Sequence, residues 1–268
     1  MRARSSPCDH TRVIDTHCHL DVPAFDADRD EVLARAAAAG VTGIVVPAIR
    51  PRTWQALVAL GRAHPVLRVA LGIHPQIVPE LGPDEVLDAD AIARAIEDAG
   101  ACAVGECGLD GATGQRELQE QLLRAHIRAA RATRRPLVLH VLRAHDAAPR
   151  ILREERADEV GGVMHSYSGG AELVEVYRDL GMCFSFAGPV TYANARKPVE
   201  AARAVPGELL LAETDAPDQA PLAHRGGRSE PAYVVEVIAG LAAACGVSVE
   251  EMAARTKNNA CRLFGFPP

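Results

Sequence analysis

The strongest constraint on the fold is an alternation, repeated eight times, of a short apolar run and a longer segment of helical period. This pattern is typical of parallel strands joined by helices. Eight such units fit a closed barrel or a long open sheet, and 268 residues are a common length for a barrel of one domain. We therefore predict an α/β fold, a (β/α)8 TIM barrel, as a single domain 1–268 whose residues 1–11 form a flexible N-terminal extension. The predicted strands are residues 12–17, 42–47, 67–72, 101–106, 136–140, 161–165, 182–187 and 208–214, and the clearest helices are 28–39, 115–134, 171–180 and 230–246.

Charge and cysteine content exclude several classes of function. A formal net charge of −6 does not attract DNA or an anionic membrane to the whole surface, so an anionic substrate must be attracted locally. Seven cysteines without a CxxC pair argue against a disulfide framework and against a cysteine zinc site. No apolar run reaches the roughly 18 residues of a membrane span, and the first residues lack an apolar signal region. We expect a cytoplasmic protein with no membrane contact and no obligate protein partner.

Two histidines close the first predicted strand. Side chains alternate along a strand, so His17 and His19 point the same way while Cys18 points opposite. The pair can therefore share one cation.

Four further candidate ligands each follow an apolar run and precede a loop: Glu106, His140, His165 and Asp215. In both barrels and open parallel sheets, ligand sites lie at the carboxyl ends of the strands. Charged groups buried together at one rim are costly unless cations compensate them. The sequence therefore predicts a metal site of His17, His19, Glu106, His140, His165 and Asp215.

The predicted ligands also indicate the charge and the kind of metal. Four neutral imidazoles and two carboxylates carry −2, so two divalent cations leave the cluster near +2, a local charge that can bind phosphate. Nitrogen and oxygen ligands without thiolate suit zinc, magnesium or manganese, and the sequence does not choose among them. We predict two divalent cations per chain.

Six segments carry a resemblance to a known family. They are residues 14–20 (Ile-Asp-Thr-His-Cys-His-Leu), 72–75 (Gly-Ile-His-Pro), 105–110 (Gly-Glu-Cys-Gly-Leu-Asp), 165–169 (His-Ser-Tyr-Ser-Gly), 213–217 (Glu-Thr-Asp-Ala-Pro) and 225–231 (Arg-Gly-Gly-Arg-Ser-Glu-Pro). With them the chain, over residues 12–266, resembles the TatD family of metal-dependent deoxyribonucleases among the amidohydrolase-like barrels. The resemblance implies one metal on His17, His19, Glu106 and Asp215, with Glu106 bridging to a second held by His140 and His165.

The chain departs from the family pattern at two places where substrate contact is expected. The family often shows His-x-Arg-x-Ala after the fifth strand, but here residues 140–144 read His-Val-Leu-Arg-Ala, which displaces the arginine by one position. The aromatic residues often found after Gly-Leu-Asp are replaced by Gly-Ala-Thr-Gly at 111–114.

The predicted metal site indicates hydrolysis by water that the cations activate, and the resemblance implies that the substrate is DNA or another phosphodiester. Asp215 and Glu106 are the predicted catalytic residues, and Asp215 is the candidate that orients the water and accepts its proton, although it can equally be only a ligand. An alternative is hydrolysis of an ester, lactone or amide in a small molecule, since the same water activation serves acyl chemistry. A non-catalytic metal-binding scaffold is the third and least favoured hypothesis.

Four residues are predicted to bind substrate: His74, Arg143, Arg225 and Arg228. The two arginines of the glycine-rich loop can clamp a phosphate, but a solvated loop or an ion pair with Glu230 explains them as well. For His74 the alternative to substrate binding is a structural role, as a loop histidine held by hydrogen bonds.

Overall fold

The computed structural model describes residues 12–268, and its strands form one parallel sheet in which each strand pairs with the next along the chain. The predicted TIM barrel is confirmed. The extension predicted at 1–11 lies outside the described residues, and the assignment of a single domain stays a prediction. The strands are β1 (Val13–Asp15), β2 (Val41–Pro47), β3 (Leu67–Leu71), β4 (Ala103–Asp110), β5 (Leu137–Leu142), β6 (Gly162–Met164), β7 (Met182–Phe186) and β8 (Leu210–Ala212).

The barrel closes between its first and last strands through the segments that follow them. The backbone N–H of Thr16 donates to the carbonyl of Ala212 at 3.2 Å. Toward the carboxyl end of the strands, the N–H of Asp215 donates to the carbonyl of His17 at 2.9 Å. The N–H of His19 donates to the carbonyl of Ala216 at 2.8 Å. Closure of the barrel therefore brings two of the predicted metal-binding segments side by side.

Helices cover the outside of the barrel. The predicted helices 28–39, 115–134 and 230–246 are present, whereas 171–180 yields only a short α6 because its first turn is a 3-10 helix. Within the described residues no single helix has both the length and the apolarity to cross a membrane; the pair 231–245 and 249–264 meets those criteria only when joined across a bend of 110°. The helices are α1 (Arg29–Ala38), α2 (Trp54–Ala63), α3 (Ala89–Ala99), α4 (Arg116–Thr133), α5 (Ala148–Glu154), α6 (Val174–Arg178), α7 (Arg196–Ala204), α8 (Val234–Cys245) and α9 (Val249–Phe264).

Two apolar clusters divide the core according to the alternation of side chains along the strands. The larger cluster lies between the sheet and the helices. The smaller one fills the barrel interior with one side chain from each of the eight strands, including Ile14, Val45 and Val138, and is completed by Phe264 and Phe266. The C-terminal aromatic residues therefore seal the amino end of the barrel.

Strand β4 is longer than the sequence indicates. We predicted that Glu106 ends the fourth strand, but β4 continues to Asp110, because residues 107–110 keep pairing with β5 after a shift of register between Val104 and Cys107. Gly105 lies within that shift at φ +149°, where a Cβ atom would lie 2.5 Å from the carbonyl oxygen of Val138. Only glycine fits this backbone, so Gly105 allows Glu106 to enter the site from inside the strand.

Candidate metal centre

Glu106 is the centre of a ring of histidines. Its Oε1 atom lies 2.9 Å from Nε2 of His74, 3.1 Å from Nδ1 of His140 and 3.2 Å from Nε2 of His165. Its Oε2 atom lies 3.0 Å from Nε2 of His17 and 3.4 Å from Nε2 of His19. Strands and loops far apart in the sequence therefore bring five imidazoles to one fully buried carboxylate.

His17, His19 and Asp215 form the adjoining part of the site. The Nε2 atoms of the two histidines are 3.2 Å apart, as expected for side chains on the same side of an extended segment, while Cys18 is buried away from them. The Oδ1 atom of Asp215 faces both rings, at 3.6 Å from His17 and 3.8 Å from His19. All six predicted metal ligands therefore meet at the carboxyl end of the barrel.

The side chains divide into three groups whose ligand atoms are close enough to share an ion: His17, His19 and Asp215; His17, Glu106 and His165; and His74, Glu106 and His140. The first group lies within one of the two expected ligand sets. His165, however, stacks on His17 with ring centroids 3.7 Å apart, and His74 joins Glu106 and His140. The distribution of the ligands over two cations stays a prediction. His74, predicted to bind substrate, lies beside Glu106 and His140.

The electrostatics of the cluster favour positive charge. Burial opposes ionisation of Glu106, but the histidines around it hold the pKa of this carboxyl well below its usual range. Burial likewise opposes protonation of His165, but Glu106, Glu213 and Asp215 raise its pKa well above the usual value. The carboxylates that stabilise a buried imidazolium here would also stabilise a divalent cation.

A second layer of carboxylates orients the histidines. Oδ2 of Asp110 lies 3.3 Å from Nε2 of His140 and also accepts a hydrogen bond from the amide of Gln76 at 2.8 Å. Oε1 of Glu213 lies 3.0 Å from Nδ1 of His165. Partners of this kind fix ring orientation and raise the basicity of a ligand.

Asp15 supports the segments of the first and last strands. Its Oδ1 atom accepts hydrogen bonds from the backbone N–H groups of His17 at 3.2 Å and Thr214 at 3.0 Å, and its Oδ2 from the hydroxyl of Thr214 at 2.5 Å. Burial raises the pKa of Asp15 to about 8. Asp15 thereby ties the segment of His17 to that of Asp215.

Sequence reasoning assigned no role to these supporting residues. Asp110 and Glu213 lie inside quoted motifs, and a carboxylate close in sequence to a ligand is a signal for an orienting partner. Gln76 carries no such signal, because its contact with Asp110 depends on the packing of two separate loops.

The cluster passes a chemical test for divalent cations. The buried Oε2 atom of Glu106, which faces the rings of His17 and His19, receives no well-directed hydrogen bond. Donor atoms of one cation, each about 2.0–2.2 Å from it, lie roughly 3 Å apart, as the facing atoms do here. Nitrogen and carboxylate donors without thiolate suit zinc, magnesium or manganese. The residues present therefore fit divalent cations.

The cluster lies at the base of a cavity of about 660 Å³. One part of its wall is polar and includes Ser166, Ser168 and Gln219, and Lys197 is the only lysine or arginine among the described residues that line it. The apolar part of the wall comprises Ile49, Ile77, Val141, Leu142, Pro189 and Pro198.

The three arginines predicted to bind substrate do not line this cavity. Arg143 is exposed, and Leu142 lies in the wall instead. The guanidinium of Arg225 lies 4.7 Å from the ring centroid of Tyr192. The guanidinium of Arg228 pairs with Asp28 at 2.6 Å and Glu230 at 2.9 Å, the ion-pair alternative considered above. Their role in substrate binding stays a prediction.

A (β/α)8 barrel whose mouth gathers histidines and carboxylates around a cavity is the arrangement of a metal-dependent hydrolase. Comparison with known proteins narrows this class. The family model described as TatD related DNase matches residues 14–265. The chain belongs to the TatD family of metal-dependent hydrolases.

Individual relatives agree with this assignment. YabD of Bacillus subtilis, an uncharacterized metal-dependent hydrolase, is 34% identical over 257 residues, which cover 94% of this chain and 98% of YabD. YcfH of Escherichia coli K12, described in the same words, is 35% identical and covers 94% of this chain and 95% of its own. The crystal structure of YJJV, a TatD homologue from Escherichia coli K12, superposes with a TM-score of 0.88 at 34% identity, covering 96% of this chain and 99% of YJJV.

Proposed function

We propose that this protein is a metal-dependent phosphodiesterase that hydrolyses DNA. The observation that carries the proposal is the convergence of five histidines on the buried Glu106, next to Asp215, at the base of an open cavity. The description of the matching family as TatD related DNase supports a phosphodiester as substrate.

In this proposal the cations, Asp215 and Glu106 have separate roles in hydrolysis. Two divalent cations, zinc, magnesium or manganese, would supply an acidified water molecule and polarise the bond to be cleaved. We assign to Asp215, which lines the cavity, the role of accepting the proton of the attacking water. Glu106 is fully buried with both oxygens directed at imidazoles, so it acts by holding the centre together.

A second candidate function is hydrolysis of an ester, lactone or amide in a small molecule. The cavity favours it in one respect, because Leu142 occupies the wall beside His140 while Arg143 is exposed. A long nucleic acid is bound mainly through several basic contacts to phosphate, and Lys197 alone among the described residues offers one here. A small substrate with one anionic group fits such a wall.

The two functions are separated by a panel of substrates. The metal-loaded protein is assayed with an end-labelled single-stranded oligonucleotide, a nitrophenyl phosphodiester, a nitrophenyl ester, a lactone and an amide, each with magnesium, manganese or zinc. We expect cleavage of the oligonucleotide and the phosphodiester. Turnover confined to the non-phosphate substrates would overturn the nuclease proposal, and bound metal without any turnover would favour the scaffold.

Asp215→Asn tests the catalytic base within the same assay. We expect it to bind the ions more weakly and, when saturated with metal, to lose about 10²-fold or more in turnover, because the amide lacks the charge of the carboxylate and cannot accept a proton from water. Full metal content together with nearly full turnover would exclude Asp215 as the base.

A further inference from the structure

Two polar side chains of the cavity wall connect to Asp215 and have no part in the chemistry described so far. The amide of Gln219 donates from Nε2 to Oδ2 of Asp215. The hydroxyl of Ser166 lies 2.9 Å from Oε1 of the same amide. Ser166 follows His165 at the end of β6, and Gln219 lies in the loop after β8, so the connection spans two of the segments that carry the site.

The charge on Asp215 fixes the orientation of the amide. A carboxylate only accepts hydrogen bonds, so the NH₂ group of Gln219 must face it, since the opposite orientation would set oxygen against oxygen. The Oε1 atom of Gln219 then requires a donor, and the hydroxyl of Ser166 provides one. The chain of hydrogen bonds therefore has one direction, from Ser166 through Gln219 to Asp215.

The backbone at these three residues lies in the left-handed region that is uncommon for residues other than glycine. The φ angles are +40° at Ser166, +53° at Asp215 and +50° at Gln219. Two local hydrogen bonds hold this geometry: the N–H of Ser166 donates to Oε1 of Glu213 at 2.6 Å, and the N–H of Asp218 donates to the carbonyl of Asp215 at 2.9 Å. Such conformations persist where the surroundings fix them, and they concentrate at functional sites.

We propose that Gln219, oriented by Ser166, is a positioning residue that holds Asp215 with its Oδ1 atom turned toward His17 and His19. The inference rests on the proposed metal-dependent function, because it assigns Asp215 to the cation site. With Oδ2 engaged by Gln219, the Oδ1 atom is the one that faces the two histidines, at 3.6 and 3.8 Å.

Loss of this contact has a defined consequence. The side chain of Asp215 is 12% exposed and borders the cavity, so without Gln219 it can rotate toward water. Removal of a residue that orients a metal ligand weakens metal affinity or activity by about 10- to 100-fold. A single contact between two side chains that line an open cavity adds little to the stability of the fold, so the metal-free protein keeps its thermal stability.

The test uses the full chain with Gln219→Met and Ser166→Ala, singly and together. Affinity for Mn²⁺ and Zn²⁺ alone is measured by competition with a chromogenic chelator, alongside the Tm of the metal-free protein and the kcat and KM for a nitrophenyl phosphodiester. Gln55→Met, an exposed glutamine on α2, is the matched control.

We expect Gln219→Met to bind both ions about 10- to 100-fold more weakly and to lower kcat with little change in KM. Ser166→Ala has a smaller effect of the same kind, and the double variant is no worse than Gln219→Met, because Ser166 acts through Gln219. Metal affinity and kcat equal to those of the wild type in Gln219→Met would overturn the inference. The inference would also be overturned if the Tm of metal-free Gln219→Met fell far enough to explain the weaker metal binding and the lower kcat. If the wild-type protein itself binds neither ion, the proposed function fails instead.

Discussion

The two ends of the barrel are built from the same eight strands, yet they are opposite in character. At the amino end, Phe264 and Phe266 pack under an apolar layer that includes Ile14 and Val45. At the carboxyl end, histidines and carboxylates surround an open cavity. One end buries apolar side chains against each other, and the other buries groups whose hydrogen-bonding and charge are completed by a cation.

A single step of the strand repeat separates the two environments. Val138 belongs to the apolar layer, and His140, two residues further along β5, contacts Glu106. In the same way, Val163 on β6 belongs to the apolar layer, and His165, just after the end of β6, contacts Glu106. Because side chains two residues apart point to the same face of a strand, the barrel interior changes from apolar to polar within one repeat. Stability and chemistry are therefore assigned to adjacent layers of one interior.

The largest effect is expected at the centre of the polar layer. Glu106→Gln removes the charge that faces the surrounding histidines, and turnover should fall by about 10²–10³-fold or more, with loss of bound metal. Turnover and metal content by elemental analysis provide the measurement. Glu117→Gln, on the exposed face of α4, is the control and should behave as the wild type. Unchanged metal content in Glu106→Gln would contradict the assignment of Glu106 to the centre.

The apolar layer should respond in the opposite way. Phe264 is buried, so Phe264→Ala should lower the free energy of unfolding by about 3–5 kcal/mol through the cavity it leaves. The folded variant should keep its metal content and kcat, since the two layers do not share contacts at this residue. Denaturant unfolding checks the first part, with Leu222→Ala, 49% exposed, as the control. A loss of kcat comparable with that of Glu106→Gln would show that the layers are coupled.

A buried histidine outside the polar layer gives a pH-dependent contrast. Nε2 of His126 accepts from the N–H of Ile73 at 3.0 Å, and its Nδ1 lies 2.7 Å from the carbonyl of Leu122, so the neutral ring is fully satisfied. Burial lowers the pKa of His126 from 6.5 to about 4.

Between those two values the unfolded chain binds a proton at His126 that the folded protein does not. The stability that neutral His126 contributes is therefore present above pH 6.5 and declines as the pH falls toward 4. We expect the stability of the wild type relative to His126→Gln to fall by about 3 kcal/mol from pH 7 to pH 4. Denaturant unfolding of both proteins across this range measures it. A difference independent of pH would show that His126 does not titrate in this way.

The smallest effect is expected at the cavity rim. Lys197 is exposed, and removal of a rim charge costs little, so Lys197→Met should raise KM for an anionic phosphodiester by about two- to fivefold, with kcat unchanged. Salt should reduce the difference. Arg143→Met, outside the cavity, is the comparison and should change KM less. A larger effect at Arg143 would restore it as the substrate contact that the sequence indicates.

The sequence by itself determined the eight strand–helix units and the candidate ligands at the strand ends. Eight apolar runs with helical segments between them predict parallel strands, since each strand must bury both faces. The carboxyl ends of those strands meet at one rim of a barrel, so the sequence predicts one site for His17, His140 and Asp215. Periodicity and the strand-end rule are local properties, so they can be read from a single chain.

Only the tertiary structure decided the details that depend on contacts between distant loops. The register shift of β4 places Glu106 inside the strand, and packing brings His74 to it at 2.9 Å. Leu142 rather than Arg143 enters the wall, and Gln219 reaches Asp215. These outcomes depend on the direction in which each side chain leaves an irregular backbone. No periodic pattern encodes that direction, because it is fixed by sterics and hydrogen bonds that exist only once the barrel has closed.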